Sequence, residues 1–356
     1  MRVLIVDDSP ILRLLLRSVM ESAGLQVREA ENGEQALSVL ATYTPDIVTM
    51  DVHMPGMNGY ETTARILERY ALPVVILTSS SNANDASSAM RALEVGALAV
   101  LEKPAGPHCA NFEQQVNELL RTLLNLAQVK IVRRPYAQKS AAPRALPSKH
   151  QLHPAQPRLV AIAASAGGPA ALKTLLHELA PAQPWPLLLA QHISAGFLDS
   201  FRDWLASLSA MPVHLATNDQ EFCPGALYLA PEAHHLGVDA DLRARLERGN
   251  HNTPFCPSAN HLFTSVAQSL GSRAIAIQLS GMGRDGAEGL AELNRQGALT
   301  IAQEPASAVI DAMPLAAINL QAAKLVLAPE AIAALLNTLA SRGTSSSNLP
   351  GGEKSC

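Results

Sequence analysis

The chain has 356 residues, a formal charge of −4, 48% hydrophobic residues and 16% charged residues. This length suits two domains rather than one, and the charge gives no whole-chain reason to expect binding to nucleic acid or to a membrane surface. No run approaches the roughly 20 apolar residues of a transmembrane helix, and MRVLIVDDSP enters a strand without an apolar signal region, so a cytoplasmic protein with no membrane insertion is expected.

Along the first part, VLIV at 3–6 reads as a buried strand, and 11–23 has helical spacing that ends at Gly24. DIVTMD at 46–51, VVILTS at 74–79 and ALAVL near 98–101 read as further strands, followed by Lys103-Pro104 and a helix at about 111–127. Strands alternating with helices predict a parallel sheet over a domain at 1–125. No acidic residue then occurs between Glu118 and Glu178, and residues 126–157 collect prolines, lysines and arginines into a basic tether.

A second alternation starts at RLVAIAAS (158–165) and continues through LLLAQH (187–192), ALYLAP (226–231), AIAIQLS (274–280) and ALTIAQ (298–303). Helices are expected at 169–180, 196–208, 258–270, 286–295 and 328–341. This makes 158–342 a second α/β domain with a parallel sheet. The polar, glycine-rich tail at 343–356 is expected to be disordered. Cys109, Cys223, Cys256 and Cys356 form no CxxC pair and read as free thiols. The adjacent His234 and His235 lack a partner at metal-ligand spacing.

In open parallel sheets, function gathers at the carboxyl ends of strands. Asp7 and Asp8 end the first strand, Asp51 ends the second clear one, Thr78 ends the next, and Lys103 follows the last. Three carboxylates in one place repel unless a cation lies between them, and a hard ion such as Mg²⁺ prefers such oxygens. A lysine and a hydroxyl beside them suit a phosphoryl group arriving at one carboxylate. Asp51 is the best nucleophile because MDVHMPGMNGYE places it before a Pro- and Gly-rich turn. Any one of these acids alone would more often be a cap or a solvated loop residue. The ordered set DD, D-x-x-M-P-x-M-x-G, T-S and K-P resembles a two-component receiver domain. That resemblance implies a flavodoxin-like fold, phosphorylation of Asp51 by a histidine kinase, and Mg²⁺ held at Asp8, Asp51 and the backbone carbonyl of His53. Receivers often carry Tyr or Phe at the position occupied here by Val100.

In the second domain, Ser165 stands where a strand meets AGGPAAL, with helix N–H groups nearby. A lone S-x-G-G is more often an N-cap or a phosphate-binding turn. His192 ends LLLAQH, and Asp285 lies in LSGMGRDGAEGL, where a lone Asp would usually cap the next helix. All three fall at strand ends of one sheet, so a serine, a base and an orienting acid can converge. A DNA-binding output domain would need a basic recognition module, which this α/β pattern lacks.

The ordered motifs S-A-G-G-P, Q-H-I-x-x-G-F, S-G-M-G-x-D-G, and A-Q-E with a later A-M-P, resemble the catalytic domain of chemotaxis protein-glutamate methylesterases, the CheB family. The resemblance implies Ser165 as nucleophile, His192 as general base and acid, Asp285 as the orienting acid and the Met282 backbone N–H as an oxyanion donor. It further implies hydrolysis of glutamate methyl esters on the cytoplasmic domains of chemoreceptors, deamidation of receptor glutamines, no cofactor for the esterase, and activation by receiver phosphorylation. Ala166 stands where the family often has Thr.

Overall fold

The computed structural model describes residues 1–79, 90–129, 156–249 and 255–344. The expected tether and tail fall almost wholly outside them. The chain divides into two compact units, each taken by itself below.

The first unit is a parallel sheet of β1 (Arg2–Val6), β2 (Gln26–Ala30), β3 (Ile47–Asp51), β4 (Val74–Thr78) and β5 (Ala99–Glu102), in the order β2-β1-β3-β4-β5. This is the flavodoxin-like order, and the strand sequence reverses between β1 and β3, where Asp7, Asp8 and Asp51 end their strands. Its helices include α1 (Pro10–Ser22), α2 (Gly33–Leu40), α3 (Gly59–Tyr70) and α4 (Phe112–Leu126).

Three of these elements were not legible beforehand. Strand β2 is QVREA, an edge strand whose polar residues alternate outward and leave no apolar run. Helices α2 and α3 begin at Asn-Gly dipeptides, which in isolation signal turns. Here Asn32 and Asn58 are N-caps, accepting at 2.9 Å from the N–H groups of Gln35 and Glu61.

The second unit is built on a seven-stranded parallel sheet with the order β14-β13-β12-β6-β7-β9-β8. Its strands are β6 (Leu159–Ala164), β7 (Leu187–Gln191), β8 (Val213–Leu215), β9 (Leu227–Leu229), β12 (Ala274–Gln278), β13 (Leu299–Gln303) and β14 (Leu325–Leu327). An antiparallel hairpin, β10 (His234–Val238) with β11 (Ala244–Arg248), stands apart from that sheet. Strands β8 and β14 are three residues each, too short to show a period in sequence. The helices are α5 (Gly168–Glu178), α6 (Leu198–Leu208), α7 (Ala259–Leu270), α8 (Ala287–Arg295), α9 (Ala312–Asn319) and α10 (Pro329–Thr344).

Strand β6 is the first of this sheet in chain order and lies in its middle, with β7 on one side and β12 on the other. Side chains alternate across a strand, and Leu159, Ala161 and Ala163 of β6 join one buried cluster with Leu262, Phe263 and Val266 of α7. Small strand residues against large helix residues let helix and sheet approach closely. Cys109 and Cys256 are free thiols as expected, and Cys356 lies outside the described residues. Both tryptophans of the chain, Trp185 and Trp204, are buried in this second part, so their fluorescence reports its unfolding. Phe263→Ala is expected to cost about 3–5 kcal/mol in that transition under denaturant. Val326→Ala, at a side chain 42% exposed, should change it by less than about 0.5 kcal/mol.

Candidate active site

Ser165 is the residue after β6. Its N–H donates to the Ser280 carbonyl at 3.0 Å, and its carbonyl accepts from Gly168 N at 2.8 Å and Gln191 Nε2 at 3.0 Å. Gly167, at φ +75°, turns the chain into α5, and Pro169 lies in that helix's first turn. The serine is 8% exposed and packs on Gly281. A Cβ at 281 would stand 2.8 Å from the Ser165 Cβ and 2.1 Å from Met313 Sδ, so only glycine fits there.

Parallel register puts His192 beside it. Ala164 pairs with Gln191, and His192 N donates to the Ala164 carbonyl at 3.0 Å. Ser165 and His192 are therefore the next residues on adjacent strands, about 5 Å apart along the hydrogen-bonding direction. His192 Nε2 bonds Asp285 Oδ2 at 2.9 Å. Its Nδ1 is buried and has no hydrogen-bond partner among the described residues. Phe255 stacks on the imidazole with centroids 4.6 Å apart and planes 4° from parallel. With the proton on Nε2 directed to the carboxylate, the lone pair is on Nδ1. The nitrogen facing the carboxylate is thus the opposite one from that in the chymotrypsin arrangement.

Asp285 is 6% exposed and lies on the N-terminus of α7. Its Oδ2 also accepts from Ala259 N at 2.7 Å, and its Oδ1 accepts from Ser258 Oγ and Asn260 N, both at 3.0 Å. Burial pushes this carboxyl up. The bonds from His192, Asn260 and Ala259 outweigh burial and hold it below the usual carboxylate range. In the same loop, Gly281 N donates to the Ile310 carbonyl at 3.1 Å, and Gly281 O accepts from Met313 N at 3.0 Å. The N–H of Met282 has no hydrogen-bond partner among the described residues.

In the first unit, carboxylate oxygens of Asp7, Asp8 and Asp51 lie within 4.8 Å of one another. Lys103 Nζ sits 2.9 Å from both Asp7 Oδ2 and Asp51 Oδ2. Burial raises Asp51 above the carboxylate range, opposed by Lys103 and reinforced by Asp7. Burial would lower Lys103, but Asp51 and Asp7 hold it above the usual lysine value. Thr78, 1% exposed, follows Leu77, the register partner of Asp51, and its carbonyl accepts from Lys103 N at 2.9 Å. His53 N approaches Asp51 Oδ1 at 3.4 Å. The motif glycine has a steric origin, since a Cβ on Gly59 would meet the Asp51 carbonyl oxygen at 1.9 Å. Its methionines, Met54 and Met57, are buried. Three carboxylates of this spacing fit one hard divalent cation.

Residues 160–336 match the family model for CheB methylesterase, and residues 3–109 match that for the response regulator receiver domain. A protein-glutamate methylesterase/protein-glutamine glutaminase of Hahella chejuensis is 47% identical over 343 residues, covering 95% of this chain and 98% of the relative. The chain belongs to the CheB family. A Myxococcus xanthus protein of the same name is 40% identical over 355 residues, covering 99% of this chain and 98% of its own. The crystal structure of the Thermotoga maritima CheB methylesterase catalytic domain matches with TM-score 0.50 and 30% identity, over 52% of this chain and 99% of that one.

The structure brings His192 and Asp285 into contact and sets Ser165 beside them, without a hydrogen bond to Nδ1. Such bonds often tighten only with substrate bound. The sequence reading missed Phe255 and the Ser258-Ala259-Asn260 turn that carries Asp285. The signal was present in Pro-Ser-Ala-Asn at 257–260, which reads as a helix start and hence an anion site. Because the folded-state value of Asp285 is depressed, its ionised form stabilises the fold above the ordinary carboxylate range. That stability is lost as pH falls through the lower, folded value. The stability difference between wild type and Asp285→Asn, followed by tryptophan fluorescence in urea, should be present at about pH 5 and shrink as the pH is lowered further into acid. A difference that grows below about pH 5 would contradict the assignment.

Proposed function

We propose that this chain hydrolyses glutamate 5-methyl esters on the cytoplasmic domains of methylated chemoreceptors, releasing methanol. It also deamidates receptor glutamines, and receiver phosphorylation raises both activities. The observation that carries the reading is the buried, partnerless Nδ1 of an imidazole whose Nε2 is fixed to Asp285 at 2.9 Å, beside a serine at the reversal point of the sheet.

Ser165 Oγ attacks the ester carbonyl carbon while His192 Nδ1 takes its proton, and the Met282 N–H stabilises the oxyanion. Collapse breaks the C–O bond, and His192 returns the proton so that methanol leaves a glutamyl-serine ester. Water, deprotonated by the same nitrogen, releases glutamate and restores the serine hydroxyl. With a glutamine side chain the leaving group is ammonia. Asp285 stays ionised throughout, fixes the tautomer and stabilises the imidazolium. The esterase chemistry uses no cofactor.

In the receiver, Asp51 Oδ2 accepts a phosphoryl group from a histidine kinase, and the phosphorus–nitrogen bond of the donor breaks. Asp7, Asp8, Asp51 and the His53 carbonyl would hold Mg²⁺, which supplies charge neutralisation for the phosphoryl oxygens. Lys103 and Thr78 complete the cradle. The organisation assigned is a receiver at 1–125, a tether at 126–157, a catalytic domain at 158–342 and a tail at 343–356. The substrate places the protein in the cytoplasm, with no role for nucleic acid or membrane insertion.

Methanol release from methylated receptor membranes tests the reading. Ser165→Ala should lower turnover on the order of 10⁶-fold, and Asp285→Asn on the order of 10⁴-fold, without unfolding either protein. Asp51→Asn should stay at basal turnover when Mg²⁺ and a small phosphodonor raise the wild type. Near-normal turnover in Ser165→Ala would end the serine mechanism.

A further inference from the structure

Three parallel strands of the catalytic sheet end on the same residue: Gln191 on β7, Gln278 on β12 and Gln303 on β13. A strand that ends in an amide is exceptional among Leu, Ile and Ala runs, and three in one sheet need a common reason. The residues are 5%, 0% and 1% exposed, so any hydrogen bond their amides make lies inside the protein.

Gln191 and Gln278 bond the backbones of residues assigned to catalysis, and Gln303 bonds the start of the loop between β12 and Asp285. Gln191 Nε2 donates to the Ser165 carbonyl at 3.0 Å and the His192 carbonyl at 2.8 Å, spending both N–H groups to tie the nucleophile to the base. Gln278 Nε2 donates to the Asp285 carbonyl at 3.1 Å and the Met313 carbonyl at 3.0 Å. Met313 in turn holds the Gly281 carbonyl through its own N–H. Gln303 Oε1 accepts from Ser280 N at 2.7 Å, at the entrance of the loop that carries Met282, and its Nε2 donates to Ser307 O at 3.0 Å.

Two of these amides share a further detail. Gln191 Oε1 would stand 2.8 Å from a Cβ on Gly168, and Gln278 Oε1 would stand 2.9 Å from a Cβ on Gly286. Both glycines lie at the start of the helix that follows a catalytic residue, α5 after Ser165 and α8 after Asp285. Each amide oxygen thus occupies the space a side chain would take, and neither has a hydrogen-bond partner among the described residues, so each amide is fixed through its Nε2 donors.

We propose that Gln191, Gln278 and Gln303 are positioning residues, with Gln191 setting the separation of Ser165 from His192. This rests on the reading of Ser165, His192 and Asp285 as the catalytic set. None of the three glutamines touches the substrate, so their loss should slow the chemical step and leave substrate binding nearly unchanged. A misplacement of the order of 1 Å between reacting groups costs on the order of 10²-fold in rate.

The test compares full-length wild type with Gln191→Leu, Gln191→Glu and Gln183→Leu. Gln183 is the control: it is 4% exposed and spends its Nε2 on the Ala180 carbonyl and Asn337 Oδ1, both at 3.0 Å, and it bonds no catalytic residue. A fluorophosphonate is added, Ser165 modification is followed by mass spectrometry, and the rate is normalised to the folded fraction from tryptophan fluorescence. Both Gln191 variants should label about 10²-fold more slowly, with kcat for methanol release falling alongside and KM little changed. Gln183→Leu should label at the wild-type rate despite a comparable loss of stability. Gln191→Glu keeps the shape of the side chain and replaces the donors with acceptors, so it reads the donors even where the apolar variant fails to fold. Wild-type labelling rates in the Gln191 variants would overturn the proposal, as would equal slowing in Gln183→Leu. A wild type that does not label at Ser165 would instead remove the catalytic set itself.

Discussion

The carboxylate of Asp285 on the N-terminus of α7 is the contact on which the catalytic arrangement depends. A buried carboxylate is costly unless its lone pairs are satisfied. Here four donors converge on it: His192 Nε2, Ser258 Oγ, Ala259 N and Asn260 N. Three of the four belong to the start of one helix, so the charge is fixed by a rigid element and the imidazole takes its orientation from it. The support extends outward, since Ser258 N donates to His235 Nδ1 at 3.0 Å. Burial keeps His235 below the usual imidazole range, which leaves that nitrogen free to accept.

The two sites solve the problem of buried charge in opposite ways. Asp285 is surrounded by hydrogen-bond donors and held ionised. Asp51 is surrounded by other carboxylates and held high by burial, with Lys103 as the nearby cation. The first environment suits an acid that must not change state during turnover. The second suits a carboxylate whose neighbours become comfortable when a cation and a phosphoryl group arrive. Each site lies where its strand order reverses, between β1 and β3 in one sheet and around β6 in the other. There the loops from neighbouring strands part and leave a crevice.

Much of this was legible in the residues. Buried parallel strands are continuous apolar runs, so β1, β3, β4, β6, β7, β12 and β13 stood out. The strand-end rule then placed Asp7, Asp51, Ser165 and His192. Strands β2 and β11 did not stand out, because much of each faces solvent and no apolar run forms, and β10 did not because two histidines and a glycine interrupt its run. Helices α2 and α3 were hidden by Asn-Gly, whose capping role depends on the helical residues C-terminal to it. Phe255 and the turn at Ser258 lie far in sequence from His192 and Asp285. Their roles arise from tertiary contact alone, as does the need for glycine at 59 and 281. Strand-terminal glutamines are the intermediate case. Gln191, Gln278 and Gln303 are visible in the sequence as a repeated ending, yet nothing local says that the first two would reach the carbonyls of Ser165, His192 and Asp285, or that the third would accept from Ser280 N. The geometry makes them sensible, because a side chain at the end of a parallel strand is placed to bond the loop beside it.

The catalytic assignment stands or falls on which nitrogen of His192 carries the proton. Nitrogen NMR of the histidine-labelled chain at neutral pH, with His192 assigned by substitution, reads this directly. The expected result is a proton on Nε2, its resonance lost or shifted in Asp285→Asn, and an unprotonated Nδ1 available to Ser165. A proton resident on Nδ1 in the wild type would contradict the assignment, because the nitrogen designated as base would then have no lone pair with which to act.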